Sequence, residues 1–163
     1  MISPSPSDNE SSQETELLII QMMLQQRYKE TYELLSTQKS TQSAALYNTA
    51  LCLHWSENYQ DALTRLDSIR LTLQINNFSQ SIANSDYHGI IKKQNQTDDF
   101  LNGMSEAYIK HFPVLAHDAV VRLKVDCWLK LGNFPKVIAI ATPIAHKGYR
   151  DITDALKLAD TSR

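Results

Sequence analysis

Five histidines, two cysteines and a few close-set carboxylates are the side chains of this 163-residue sequence with the most chemical potential. His54, His88, His111, His117 and His146 include no pair at the i, i+4 spacing of a helical zinc site, and Cys-x-x-Cys does not occur. That pattern predicts surface or capping histidines and no metal centre. Cys52 and Cys127 are the candidates for a disulfide or a thiolate nucleophile. Asp98-Asp99 and Asp151 with Asp154 are the carboxylate pairs, yet acidic residues in a first helical turn are what the helix dipole favours. Neither a glycine-rich phosphate loop nor a Gly-x-Ser-x-Gly elbow is present. The expectation is therefore a non-enzymatic chain that needs no cofactor. His54-Trp55 stands before the polar stretch Ser56-Glu57-Asn58, either as a reactive pair or as the elbow of a helix hairpin.

The elements that position these residues follow from composition. A 42% hydrophobic and 21% charged content is that of an ordered globular domain. With 4 glycines and with 5 prolines, of which Pro4 and Pro6 fall at the start, the body has few breakers, which predicts an all-α fold. A net charge of -2 without a basic run argues against a nucleic-acid partner. Leu17 to Leu24, interrupted by Gln21, is too short to span a bilayer, and the start lacks a basic and long apolar segment. The expectation is a cytoplasmic protein without membrane insertion.

Residues 1–12, rich in Ser, Pro and acidic side chains, cannot offset the entropy of ordering and are expected to form a disordered tail; residues 13–163 form the helical domain. Leu18, Ile19, Met22 and Met23 make one stripe, and Tyr28, Tyr32 and Leu35 a second. Leu46, Ala50 and Leu53, then Tyr59, Ala62, Leu66 and Ile69, fall at helical spacings on either side of Ser56-Glu57-Asn58. Val121, Val125 and Trp128 stand 75 positions after the first set (121 minus 46), and Phe134, Val137, Ala141 and Ile144 stand 75 after the second. Asn133 matches Asn58 and Cys127 matches Cys52. Such a phase match marks an internal repeat.

In "ALYNTALCLHWSENYQDALTRLDSI" and "AVVRLKVDCWLKLGNFPKVIAIATPI" the chain resembles the tetratricopeptide repeat family, whose units are helix hairpins of about 34 residues. The match includes Leu131-Gly132-Asn133-Phe134 at the inter-helix turn and Ala62 early in the second helix. Frames begin at Ser43 and Asp118, and a degenerate one at Ser12, where the spacing is 31 (43 minus 12). For the interval between, two readings stay open. A frame at Asn84 gives a further unit; alternatively a polar insert of about residues 75–97 leads to one helix over 98–112, stopped by Pro113. In either case Phe100, Met104, Tyr108 and Phe112 form an apolar stripe. Pro143 predicts a break near Thr142, and Gly148 a stop before a capping helix with Ile152, Ala155, Leu156 and Ala159 on one face.

The resemblance implies a solenoid of about three hairpins plus a C-terminal cap. It places Cys52 and Cys127 at the tenth frame position, as small structural residues packed between helices. It also assigns a concave face to the fifth, ninth and thirteenth positions: Tyr47, Leu51 and Trp55 in one unit, Arg122, Asp126 and Lys130 in the other. An apolar set beside a charged set suits a protein partner, either a peptide or an amphipathic helix. The family's carboxylate clamp is not expected, because Ala44, Ala119 and Leu123 stand where its cations belong, although Asn48 is in place. The implied function is a non-catalytic scaffold or chaperone-like module, similar in architecture to the small tetratricopeptide-like chaperones of bacterial secretion systems. The alternative is a structural subunit using end or convex surfaces.

Overall fold

The computed structural model describes residues 6–73 and 85–162, and among these no strand occurs. Among the described residues nine helices are formed: α1 (Pro6–Leu24), α2 (Tyr28–Gln38), α3 (Ser43–Trp55), α4 (Tyr59–Asp67), α5 (Ser85–Gln94), α6 (Glu106–His111), α7 (Pro113–Lys130), α8 (Phe134–Ala141) and α9 (Arg150–Thr161). Short 3-10 turns cover Asp99–Leu101 and Thr142–Lys147. The fold is all-α. Packing follows chain order through α1, α2, α3 and α4, then passes from α4 directly to α7, and on to α8 and α9.

Three inter-helix turns share one geometry. Gln26, Glu57 and Gly132 have left-handed backbones, with φ of 59°, 64° and 70°. After each, an amide reaches back across the last helical turn: Arg27 to the Met22 carbonyl, Asn58 to Leu53 and Asn133 to Trp128, at 2.9, 2.9 and 3.0 Å. The left-handed residue itself donates to the carbonyl three back. This closes orphan carbonyls at each helix end. The left-handed residues are separated by 31 (57 minus 26) and 75 (132 minus 57), the spacings read from the sequence.

Glycine adopts such a backbone freely, whereas a residue with a Cβ is strained by about 1–2 kcal/mol. A Cβ at Gly132 would meet nothing within 4 Å, so Gly132→Ala should cost only that backbone term, about 1 kcal/mol. The matching Glu57→Gly should raise stability or leave it level. Melting curves check the pair, since about 1 kcal/mol moves Tm by about 2–4 °C at this size.

Two cores share α7. One joins Ile19 and Met23, Leu35, Tyr47 and Leu51, Leu63 and Leu66, Phe100 and Leu123. The other gathers Val125, Val137, Ile144, Ile152, Ala155 and Ala159 beneath the C-terminal helix. Pro113 sits in the first turn of α7, where its missing amide leaves no bond unmade. Pro143 ends α8 and starts the 3-10 turn, and Gly148, with φ 75°, stops it before α9.

Some boundaries differ from expectation. α1 begins at Pro6, so residues 6–12 of the expected tail are helical, while 1–5 lie outside the described residues. Of the expected polar insert, residues 75–84 lie outside the described residues and Ser85–Gln94 is α5. Neither reading of the interval holds. In place of a regular hairpin or one helix over 98–112, the chain makes a 3-10 turn, an extended stretch and the short α6. Asn48 explains the break: its side-chain amide donates to the Met104 carbonyl and accepts from the Met104 amide, both at 2.9 Å. Met104 thus spends its backbone groups on α3 instead of on a helix of its own. The apolar stripe is broken with it: Phe100 and Met104 are buried, whereas Phe112 is exposed.

Candidate functional site

Of the six residues expected on a concave face, the structure brings three to one open surface. Trp55 is 60% exposed, Lys130 is exposed, and both border a cleft of about 240 Å³ floored by Leu51, which is itself buried. Tyr28 stacks on the indole at 4.9 Å and 22° between ring planes. A second cleft, of about 310 Å³, lies between α2 and α3, lined by Tyr28, Tyr32, Glu33 and Leu53 as well as Trp55. The stacked pair therefore borders two clefts.

Asp126 is turned inward to His54, whose Nε2 lies 2.6 Å from the carboxylate, and Tyr59 meets the imidazole edge-on at 5.5 Å. The pair bridges α3 and α7 across the junction of two hairpins. His54 serves that joint, and the stretch Ser56–Asn58 behind it is the hairpin elbow.

Tyr47 and Arg122 do not line an open groove. Tyr47 is fully buried and its hydroxyl donates to the Phe100 carbonyl. Arg122 is 3% exposed. Its guanidinium donates to Asp151 at 2.7 and 3.0 Å, to Asp99 at 2.6 Å and to the Thr97 carbonyl at 2.8 Å. It lies over the rings of Phe100 and Tyr149, 4.7 and 4.2 Å from their centroids. The physical reason is cover: the segment Thr97–Met104 and the start of α9 occupy the face that was expected to be open. Burial works against the guanidinium's charge, but the hydrogen bonds and charges of Asp151 and Asp99 prevail and raise its pKa.

A neighbouring network continues this polar layer. Asp118, buried, accepts from Lys147 Nζ at 2.8 Å and from the Tyr149 hydroxyl at 2.6 Å. Burial and the Asp118 contact push the Tyr149 phenol up, so it stays a donor. Arg150 pairs with Asp98 at 3.1 Å, while Asn95 accepts from the Arg150 amide and donates to the Lys147 carbonyl. Above this layer opens a cavity of about 760 Å³, walled by α5, the 99–104 segment, α6 and the start of α7.

No family model, no curated protein and no solved structure matches the chain.

Among the described residues no group of three or more His, Cys, Asp or Glu side chains is placed to hold a metal ion, and no helix is long and apolar enough to cross a membrane. Cys52 and Cys127 are free and buried, and burial pushes each thiol up to about 12. Nucleophilic attack needs the thiolate. Native protein treated with a thiol-specific reagent at neutral pH should therefore modify at neither position, and unfolding should release both; rapid native reaction would contradict the packing.

Proposed function

We propose that the protein is a non-catalytic, tetratricopeptide-like interaction module of the cytoplasm. In this reading the hairpins stack as a short solenoid, and the surface around Trp55 holds a peptide or amphipathic helix of a protein partner. The observation that carries it is the exposed indole of Trp55, stacked on Tyr28 between two clefts. Large aromatic side chains in such settings dominate binding energies, because they bury much area at small conformational cost. Leu51 supplies an apolar floor to one cleft and Lys130 a charge at its rim, which would orient a partner by complementary charge. The three turns of one geometry support stacked hairpins.

Trp55→Ala tests the reading by pull-down from the native cell. A partner retained by the wild type should be lost, or weakened about tenfold or more, with the variant's melting curve unchanged. Unchanged capture by folded variant protein would remove Trp55 from the site.

One observation favours a second reading, a structural subunit in a larger complex. Leu17, Leu18 and Leu24 are exposed on α1, the terminal helix of the described stack. An apolar end is where a solenoid would meet a neighbouring subunit.

A further inference from the structure

The outer side of α1 carries a stripe that no other described residue covers. Glu10, Glu14, Leu17, Gln21 and Leu24 follow one another at alternating steps of four and three, which keeps them on one side of a helix. All five are exposed, Leu17 at 67% and Leu24 at 70%, and Leu18 flanks them at 46%. Ile19 and Met23, on the opposite side, are buried and fix α1 to the core. The alternation is that of a seam against which a second helix packs, its side chains set between those of the first. None of these residues lines either cleft beside Trp55.

Charge selects the helix. Pro6–Leu24 holds four carboxylates and no lysine, arginine or histidine. Glu16 accepts from the Glu106 amide, whereas Glu10 and Glu14, in the stripe itself, have no ion pair among the described residues. The helix dipole favours acidic side chains only in the first turn, and both lie beyond it. The surroundings do not cancel this charge. Arg27 and Lys29 are paired with Glu30 and Glu33, Glu106 and Lys110 of α6 balance each other, and α3 holds no charged residue apart from His54. Even with Lys39 counted, residues 6–39 carry three cations against six carboxylates, a net charge of -3 (3 minus 6). A second copy presenting the same stripe would be repelled, and residues 1–5 and 74–84 contain no lysine or arginine to offset the carboxylates.

We propose that the α1 stripe docks a basic amphipathic helix of a partner protein, its apolar residues on Leu17, Leu18 and Leu24 and its lysines or arginines toward Glu10 and Glu14. This rests on the second reading above, a neighbouring subunit at the exposed leucines of α1, and gives that neighbour its chemistry.

The test is fluorescence anisotropy of the full chain with a labelled helical peptide carrying Leu on one face and Lys on the other. Beside it stand a peptide with Glu in place of Lys and one with the same residues scrambled so that no face is apolar. The Lys peptide alone should bind, and more weakly as salt shortens the screening length from about 10 Å at 0.1 M toward about 3 Å at 1 M. Leu17→Ser with Leu24→Ser, both at exposed positions, should weaken it about tenfold or more. Glu10→Lys with Glu14→Lys should weaken it and favour the Glu peptide. Trp55→Ala should leave it unchanged. The proposal is overturned if the Lys peptide fails to bind, if the Glu or scrambled peptide binds the wild type as well, or if either double variant binds the Lys peptide normally. Binding lost with Trp55→Ala would also overturn it. Gel filtration of native cell extract separates the proposal from the reading beneath it. A large complex that the Leu17/Leu24 variant fails to join, with no binding of the Lys peptide, would overturn the basic helix and keep the neighbouring subunit.

Discussion

Arg122→Met should destabilise the fold by about 3 kcal/mol, a loss of about 6–12 °C in Tm at about 2–4 °C per kcal/mol. The guanidinium is buried and satisfies Asp99, Asp151 and the Thr97 carbonyl together. Removing one partner of a buried ion pair costs about 3–5 kcal/mol, because the remaining charge is left without compensation. The lower end applies here: the Asp99 side chain is 38% exposed and can regain water, whereas Asp151 at 17% largely cannot. Met preserves much of the stacking volume over Phe100 and Tyr149, so the loss would report charge more than packing. Adding Asp151→Leu should restore part of the stability, since a matched apolar pair escapes the desolvation penalty. Urea midpoints of the single and double variants provide the check. A single variant within about 0.5 kcal/mol of wild type would show that the network does not hold α7, α9 and the 97–101 segment together.

Asn48→Ala should cost about 2–6 kcal/mol. Its amide is the partner of both backbone groups of Met104, and a buried group left unpaired costs about 1–3 kcal/mol. Asn48→Asp is the sharper variant. It keeps the shape but replaces the donor with a second acceptor facing the Met104 carbonyl, so it should be no better tolerated than Ala. If Asn48→Asp melts with the wild type, shape rather than hydrogen bonding holds the segment.

These two residues also mark where local sequence stops being informative. The hairpin elbows are legible because a left-handed turn and its closing bonds involve neighbours within six residues, and the same pattern recurs at Gln26, Glu57 and Gly132. The break at Pro143 and the stop at Gly148 are equally local. Arg122 is different. At the fifth frame position it has the pattern of a solvent-facing charge, and its burial is decided by Asp99 and Asp151, 23 and 29 residues away. Tyr47 is buried by Phe100, 53 residues on. Asn48, which matches a clamp position whose cationic partners are missing, is instead the clasp that breaks the helix expected over 98–112. The exposure of Trp55 accords with Lys130 standing 75 positions later in the sequence, since the matching pattern does not require an indole to pack there.

Photo-crosslinking tests the central claim most directly. A benzophenone amino acid placed at Tyr32, which lines a cleft beside Trp55, is compared with one at Leu158, exposed on α9, and one at Leu17, exposed on α1. The proposed function predicts a partner crosslinked through position 32, lost on addition of Trp55→Ala, and absent from positions 158 and 17. Capture through 158 or 17 with none through 32 would contradict it and assign the contact to the ends of the stack.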